Sequence, residues 1–334
     1  MYNFILFNKS KELRDFFKNI IFKKTSNKLE VRNIFKFIVY KKNGCVRKKY
    51  KYLFEKTFDI KDKTINKAVN SKVIKLDNIP FSSDILFYVA YSRDGTITDL
   101  QHKHIQAYSD AEYEVVVIIN SDNFDKINTV SDNAAKAIIL RENIGFDFGA
   151  WKDALSIIGN LERANTLTFT NDSIFIVEKN NSIKNQKKII EKNDLDISFL
   201  TENNEIKKHY QSFFFSIKRK AIENDALSIL KSIPYYKDKQ DLIYSVEIEL
   251  HNLFNRKNLN CGHIYKDDRD FARNPTIWHW KELIDIGFPF VKSQIAFKII
   301  DGVDYSNLDN YLPKNEQILI NEHYKSRFPQ KMDS

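Results

Sequence analysis

The chain has 334 residues, 43% of them hydrophobic and 29% charged, which gives it material for a large core and sets it apart from disordered chains. No apolar run reaches the roughly 18 residues of a membrane-spanning helix, and the N-terminus lacks the basic region and small-residue cleavage site of a signal peptide. Cys45 and Cys261 lie far apart at no metal-binding spacing, so both read as reduced thiols of a cytoplasmic protein.

The net charge of +9 is unevenly placed. Residues 1–80 hold 21 Lys/Arg against 7 Asp/Glu, so the other 254 residues are net acidic by five charges. The basic cluster at Lys41-Lys42 and Arg47-Lys48-Lys49-Tyr50-Lys51 suits either a solvated face or peripheral contact with an anionic membrane. The sequence shows no nucleic-acid recognition motif, and the remainder is acidic, so nucleic acid is not the expected partner.

Residues 10–22 have the apolar spacing of an amphipathic helix with Ser10 as cap. Asn43-Gly44 is a hairpin signal. Together these predict a small basic N-terminal appendage over 1–80. From residue 81 the pattern alternates. Residues 84–90 form a nearly continuous apolar run typical of a buried parallel strand. Residues 97–108 predict a helix, 114–119 and 136–140 two further strands, 151–158 a helix and 166–169 a fourth strand. Weaker strands follow at 197–200 and 212–217, with a helix at 243–254. This order predicts an α/β domain over 81–300, a mainly parallel sheet flanked by helices, followed by a tail over 301–334.

In such sheets ligands bind past the carboxyl ends of the strands. Polar clusters fall at four of those ends: Tyr91-Ser92-Arg93-Asp94-Gly95, Asn120-Ser121-Asp122, Arg141 to Asp147, and Asn171-Asp172-Ser173. Gly145 after a strand allows a backbone conformation closed to other residues and a close approach to a ligand; an ordinary strand-to-helix turn capped by Asp147 is the alternative. The oxygens of Asn171-Asp172-Ser173 suit Mg²⁺ or Mn²⁺ at a diphosphate, and an Asx-turn is the alternative. In a helix over 243–254, Glu247 falls roughly 70° and Glu249 roughly 90° from the centre of the apolar face. A carboxylate at that border is partly desolvated, which suits a general base; a solvated helix face is the competing reading. His209-Tyr210-Gln211-Ser212 offers polar groups for an acceptor pocket, although a lone His beside a strand is more often structural. Trp278 and Trp280 suit stacking on a sugar ring, with core packing as the alternative.

At these residues the chain resembles the rhamnan-synthesis F family of glycosyltransferases. The resemblance lies in residues 141–152 (RENIGFDFGAWK), Asn171-Asp172-Ser173-Ile174-Phe175, His209-Tyr210-Gln211-Ser212-Phe213-Phe214, Glu247 with Leu250, and Pro289-Phe290-Val291-Lys292. It spans roughly residues 84–295. It implies a GT-A-like (Rossmann-like) fold and transfer of a sugar, typically rhamnose, from a nucleotide-diphosphate donor to a lipid-linked polysaccharide or O-antigen acceptor at the inner face of the plasma membrane. By that analogy Ser92, Asp94, Asn120 and Asp122 hold the base and ribose. Arg141, Asn143, Gly145, Asp147, Lys152, Asn171 and Ser173 line the donor pocket. From the residues themselves, His209, Gln211, Trp278 and Lys292 are the candidate acceptor contacts. Asp172 acts at the diphosphate, and Glu247 is the base of an inverting transfer. The triplet lacks the outer carboxylates of the usual Asp-x-Asp motif, so the resemblance leaves a divalent metal at Asp172 open. A catalytically idle glycan-binding domain on the same scaffold is the second reading.

Overall fold

A computed structural model describes residues 64–328, apart from 127–129, 178–181 and 267–272, together with the backbone of five short strands before residue 64. The hairpin at Asn43-Gly44 and all of the expected helix at 10–22 but its last residue lie outside the described residues; Phe22 begins one of the five short strands. The chain divides into two units, Met1–Thr64 and Ile65–Ser334. The second contains everything that follows.

Its centre is an eight-stranded sheet. The strands are β1 (Ser71–Leu76), β2 (Asp84–Tyr91), β3 (Glu114–Ser121), β4 (Ala135–Glu142), β5 (Thr166–Asn171), β7 (Ile197–Phe199), β8 (Phe214–Lys218) and β9 (Cys261–His263). Their order across the sheet is β9-β7-β8-β5-β2-β3-β4-β1. The four central strands β5, β2, β3 and β4 run parallel, and β1 and β8 run against them. A separate pair joins β6 (Ile174–Ile176) to β10 (Phe290–Lys292), with Ile174 opposite Lys292. The mainly parallel α/β expectation therefore holds.

The unbroken apolar runs of the central strands have a simple cause. Each strand is buried on both faces, so both sets of alternating side chains need a core. In β2, Leu86, Tyr88 and Ala90 face one core, and Ile85, Phe87 and Val89 the other. The first core is covered by α1 (Asp99–Asp110), α3 (Ser182–Lys192) and the segment from Ile277 to Ile320. The second is covered by α2 (Phe146–Ile158) and by the helices that carry Leu230, Leu250 and Phe254. A ladder of rings crosses this second face: Phe87 on Phe169 at 5.2 Å, Phe169 on Phe215 at 4.9 Å and Phe215 on Phe199 at 5.4 Å. Trp151 of the Gly149-Ala150-Trp151-Lys152 run is fully buried and meets Phe169 and Phe215 edge-on. Its indole thus belongs to packing.

Two segments read as lying outside the α/β domain join it. Strand β1 pairs antiparallel with β4 and forms one sheet edge. The tail folds into α5 (Lys314–Arg327), whose Ile320 and His323 are buried. The expected helix at 243–254 is broken. A short helix Lys239–Leu242 runs into a π-helical turn, Ile243–Glu247, and α4 (Leu250–Asn255) follows. The Ile248 N–H donates to the Ile243 carbonyl, five residues back. Such turns insert an extra residue and re-aim the side chains around them, so the wheel drawn for a regular helix does not describe Glu247.

Gly149 lies in the first turns of α2. A Cβ there would stand 2.7 Å from the Ile144 carbonyl and 3.1 Å from the Tyr235 ring. Ala normally stabilises a helix interior by about 1 kcal/mol over Gly. Here Gly149→Ala is expected to destabilise by about 1–3 kcal/mol through overpacking, read as a lower urea midpoint at unchanged slope.

Candidate active site

The carboxyl ends of β2, β3, β4 and β5 lie along one edge of the sheet, and the expected polar clusters do meet there. They divide into a bracket that holds the edge and a cluster of charges beside it.

The bracket is built on Arg141, which is fully buried. Its Nη1 donates to Asn120 Oδ1 at 2.6 Å, its Nε to Asp153 Oδ2 at 2.9 Å and its Nη2 to the Ile144 carbonyl at 2.7 Å. Burial lowers its pKa, against the pull of Asp153. Asn120 is 2% exposed. Neither residue has a free face for a nucleotide, which corrects their placement in the donor pocket: they tie β3, β4 and α2 together. Gly145 is likewise explained by packing. Its φ is +76°, and a Cβ there would meet the Tyr235 ring at 2.8 Å. The close approach is to Tyr235, whose hydroxyl donates to Asp153. Lys152 donates to the Ile233 carbonyl at 2.9 Å and lies over the Tyr235 ring, so it also serves this packing.

Toward solvent, Asp122 accepts from the Tyr91 hydroxyl at 2.7 Å and from Asn143 Nδ2 at 3.0 Å, joining three strand ends. Burial and Asp122 push the Tyr91 phenol up to about 12. Asp94 accepts from Thr96 Oγ1, the Thr96 N–H and Ser92 Oγ. Those bonds, led by the Thr96 hydroxyl, hold its carboxyl below the ordinary value.

The charged cluster gathers Asp147, Asn171, Asp172, Ser173, Glu247 and Lys292. Asn171 Nδ2 donates to Asp147 Oδ2 at 2.8 Å, and Asn171 Oδ1 accepts from both the Ser173 N–H and Ser173 Oγ. Burial raises the pKa of Asp147, which also feels Lys239, Asp172 and Glu247. The β6–β10 pairing brings Lys292 beside Ser173, with Nζ 3.4 Å from Ser173 Oγ and 3.7 Å from the centre of the Phe213 ring. Burial pulls the Lys292 ammonium down to about 7, against the favourable field of Glu247. The π turn delivers Glu247, whose Oε1 accepts from Ser212 Oγ at 2.8 Å and from the Ser212 N–H at 3.3 Å.

Asp172 is 7% exposed, and its Oδ2 is committed. It accepts from the Tyr91 N–H at 2.9 Å, from Gln101 Nε2 at 3.3 Å and from Arg327 Nη1 at 3.1 Å. Among the described residues, no group of three or more His, Cys, Asp or Glu side chains is placed to hold a metal. A divalent ion at Asp172 Oδ2 would compete with Arg327, and Asn171 Oδ1 is already taken by Ser173. The triplet as folded does not fit a metal. Sequence patterns also gave no sign of Gln101, Lys239 or Arg327: they sit in no motif, and only the folded chain brings them here.

Of the acceptor candidates other than Lys292, His209 and Gln211 turn inward. His209 is 5% exposed, with Nδ1 2.7 Å from the Lys207 carbonyl, and Gln211 accepts from Thr201 Oγ1. Trp278 stacks under the Arg273 guanidinium at 4.4 Å and packs at the margin of the first core. Glu249, the other helix-border carboxylate, pairs with Lys207.

A model of the family described as rhamnan synthesis protein F matches residues 115–321. The chain belongs to that family. Membership connects it to polysaccharide synthesis, and the match takes in Asp147, Asn171-Asp172-Ser173, Glu247 and Lys292. Virulence protein VirA of Vibrio anguillarum is 25% identical over 290 residues, covering 73% of this chain and 89% of that protein. The uncharacterized protein y4gN of Sinorhizobium fredii is 25% identical over 195 residues, 56% of this chain and 49% of its own length. Among solved structures, a glycosyltransferase involved in the glycosylation of the major capsid of PBCV-1 aligns at TM-score 0.34 and 10% identity, over 62% of this chain and 94% of that one. At TM-scores of this size, the fold assignment rests on the sheet itself. Among the described residues, no helix of this rhamnan-synthesis family member is long and apolar enough to cross a membrane.

Proposed function

We propose that the chain is a GT-A-like glycosyltransferase that moves a sugar, rhamnose or another deoxyhexose, from a nucleotide-diphosphate donor to a lipid-linked surface glycan. One observation carries this reading. At the carboxyl edge of a parallel sheet, Glu247, held by Ser212 Oγ at 2.8 Å, stands in one cluster with the Lys292 amine, whose Nζ lies 3.4 Å from Ser173 Oγ, and each feels the other's charge. That is the pairing a glycosyl transfer with a diphosphate leaving group needs.

In this reading the rim residues Asp94, Asp122 and Asn143 meet the base and ribose, and the diphosphate lies against Lys292. An acceptor hydroxyl gives its proton to Glu247 as its oxygen bonds to the anomeric carbon. The bond from that carbon to the diphosphate oxygen breaks from the opposite face, and the diphosphate leaves with the electron pair. The product is inverted at the anomeric carbon. Ser212, bonded to one Glu247 oxygen, orients the base.

A thermal-shift screen of nucleoside diphosphates and nucleotide sugars tests donor binding, and a specific stabilisation identifies the donor. The affinity is expected to depend on pH in one direction. Lys292, faced by Glu247, Asp147 and Lys239, has its pKa lowered to about 7, so above that pH it is largely neutral before ligand arrives. An anion that needs it charged must then bind with uptake of a proton. For a nucleotide sugar, whose diphosphate exchanges no proton in this range, affinity is expected to be flat below pH 7 and to fall above it by up to about tenfold per pH unit. Titrations from pH 6 to 9 read this directly. A pH-independent affinity, or a fall that persists in Lys292→Met, would remove Lys292 from the diphosphate site.

A further inference from the structure

The C-terminal helix adds a cation to this site. Helix α5 is anchored by Ile320 in the first core and tied to α1 by a Lys103–Glu316 ion pair at 2.9 Å and by buried His323, whose Nδ1 lies 3.0 Å from Thr98 Oγ1. Thr98 caps α1 through a reciprocal capping box with Gln101. Gln101 then donates to the same Asp172 oxygen that Arg327 reaches. Arg327 thus stands on a helix whose seat is shared with the residue that steadies its partner. Its guanidinium also lies 5.5 Å from the centre of the Tyr91 ring. It falls outside residues 115–321 and so lies beyond the family match.

A divalent cation binds by collecting several oxygens at about 2.0–2.2 Å for Mg²⁺. Here Asp172 Oδ2 already accepts three hydrogen bonds, Asn171 Oδ1 two, and Asp147 Oδ2 the Asn171 amide. Asp147 interacts electrostatically with Lys239 and Arg327 as well as with the two other carboxylates. Three carboxylates, Asp147, Asp172 and Glu247, therefore already face the side-chain cations Lys239 and Arg327 and the titrating amine of Lys292. A metal would compete with those cations, whereas a diphosphate would join them.

We propose that this site handles its diphosphate without a divalent metal, Arg327 of the C-terminal helix holding Asp172 and, with Lys292, supplying the positive charge that meets the leaving group. The inference rests on the glycosyltransferase reading and concerns the same site. Arg327 contributes a delocalised, permanently charged fork suited to phosphate oxygens.

The test uses the full chain with UDP, GDP and dTDP as probes, and the nucleotide sugar of whichever one binds, in excess EDTA and then in excess Mn²⁺. Binding and sugar transfer in EDTA are expected to match those in Mn²⁺ within about twofold. Arg327→Met is expected to weaken nucleoside diphosphate binding about tenfold or more, the loss of one charge-assisted contact. Arg327→Lys should recover part of it, and the thermal midpoint of each variant reports whether the helix still docks. Transfer that stops in EDTA and returns with Mn²⁺ would overturn the metal-free assignment while leaving the transferase reading intact. Full affinity in a folded Arg327→Met would overturn the role of Arg327. Absence of both nucleotide binding and transfer under every condition would sink the transferase reading, and this inference with it.

Discussion

Glu247→Gln is expected to lower the rate of sugar transfer by about 10²–10⁴-fold, the usual contribution of a positioned general base, with donor affinity nearly unchanged. The substitution keeps the shape and a carbonyl oxygen that can still accept from Ser212 Oγ, as Oε1 does at 2.8 Å. What it removes is the ability to take a proton from the acceptor. The loss should therefore appear in kcat rather than in binding. Stability should stay within about 0.5 kcal/mol, since the site is only partly buried and the hydrogen bond survives. Ser212→Ala, which leaves the carboxylate but frees its orientation, should cost less. A Glu247→Gln enzyme with wild-type turnover would end the assignment. A wild-type protein that binds glycan and nucleotide but never transfers would favour the idle binding domain instead.

The sequence carried the frame of this site better than its chemistry. The four central strands were legible because burial on both faces demands unbroken apolar runs, as in β2 and β3, and such runs are rare by chance. The strand ends were legible because polar clusters interrupt those runs abruptly. What those clusters do was not. Arg141, Asn120 and Gly145 look like ligand-binding chemistry when read in line. Whether an arginine faces a phosphate or a buried aspartate depends on Asp153 and Tyr235, which come 12 and 94 positions after Arg141. The broken helix at 243–254 shows a different limit. A π turn leaves no mark in apolar periodicity, so the position of Glu247 follows from its bond to Ser212 and not from a helical wheel. Arg327 shows a third: an arginine near the end of a polar stretch has no pattern to announce it, and only the docking of α5 on α1 brings it to Asp172.

Arg141→Met is expected to be the most destabilising single change at the strand ends, at about 3–5 kcal/mol. The guanidinium has no exposed surface, so its charge is stabilised by its partners and not by water. Removing it leaves Asp153, whose side chain is 14% exposed, without its cation, and leaves the buried Asn120 carbonyl and the Ile144 carbonyl without a donor. Uncompensated buried polar groups of this kind cost more than the lost bonds themselves. For a unit of this size, the thermal midpoint should fall on the order of 10 °C. Asp153→Asn in the same background should recover part of the loss, because it removes the orphaned charge while keeping an acceptor for the Tyr235 hydroxyl. The expectation that Arg141 binds the donor predicts the opposite pattern: an unchanged midpoint and a weakened nucleotide affinity. Thermal unfolding of the single and double variants, set beside nucleotide titrations of each, separates the two. The hydrogen-bond geometry favours the first outcome, because every nitrogen of the guanidinium already has a protein partner.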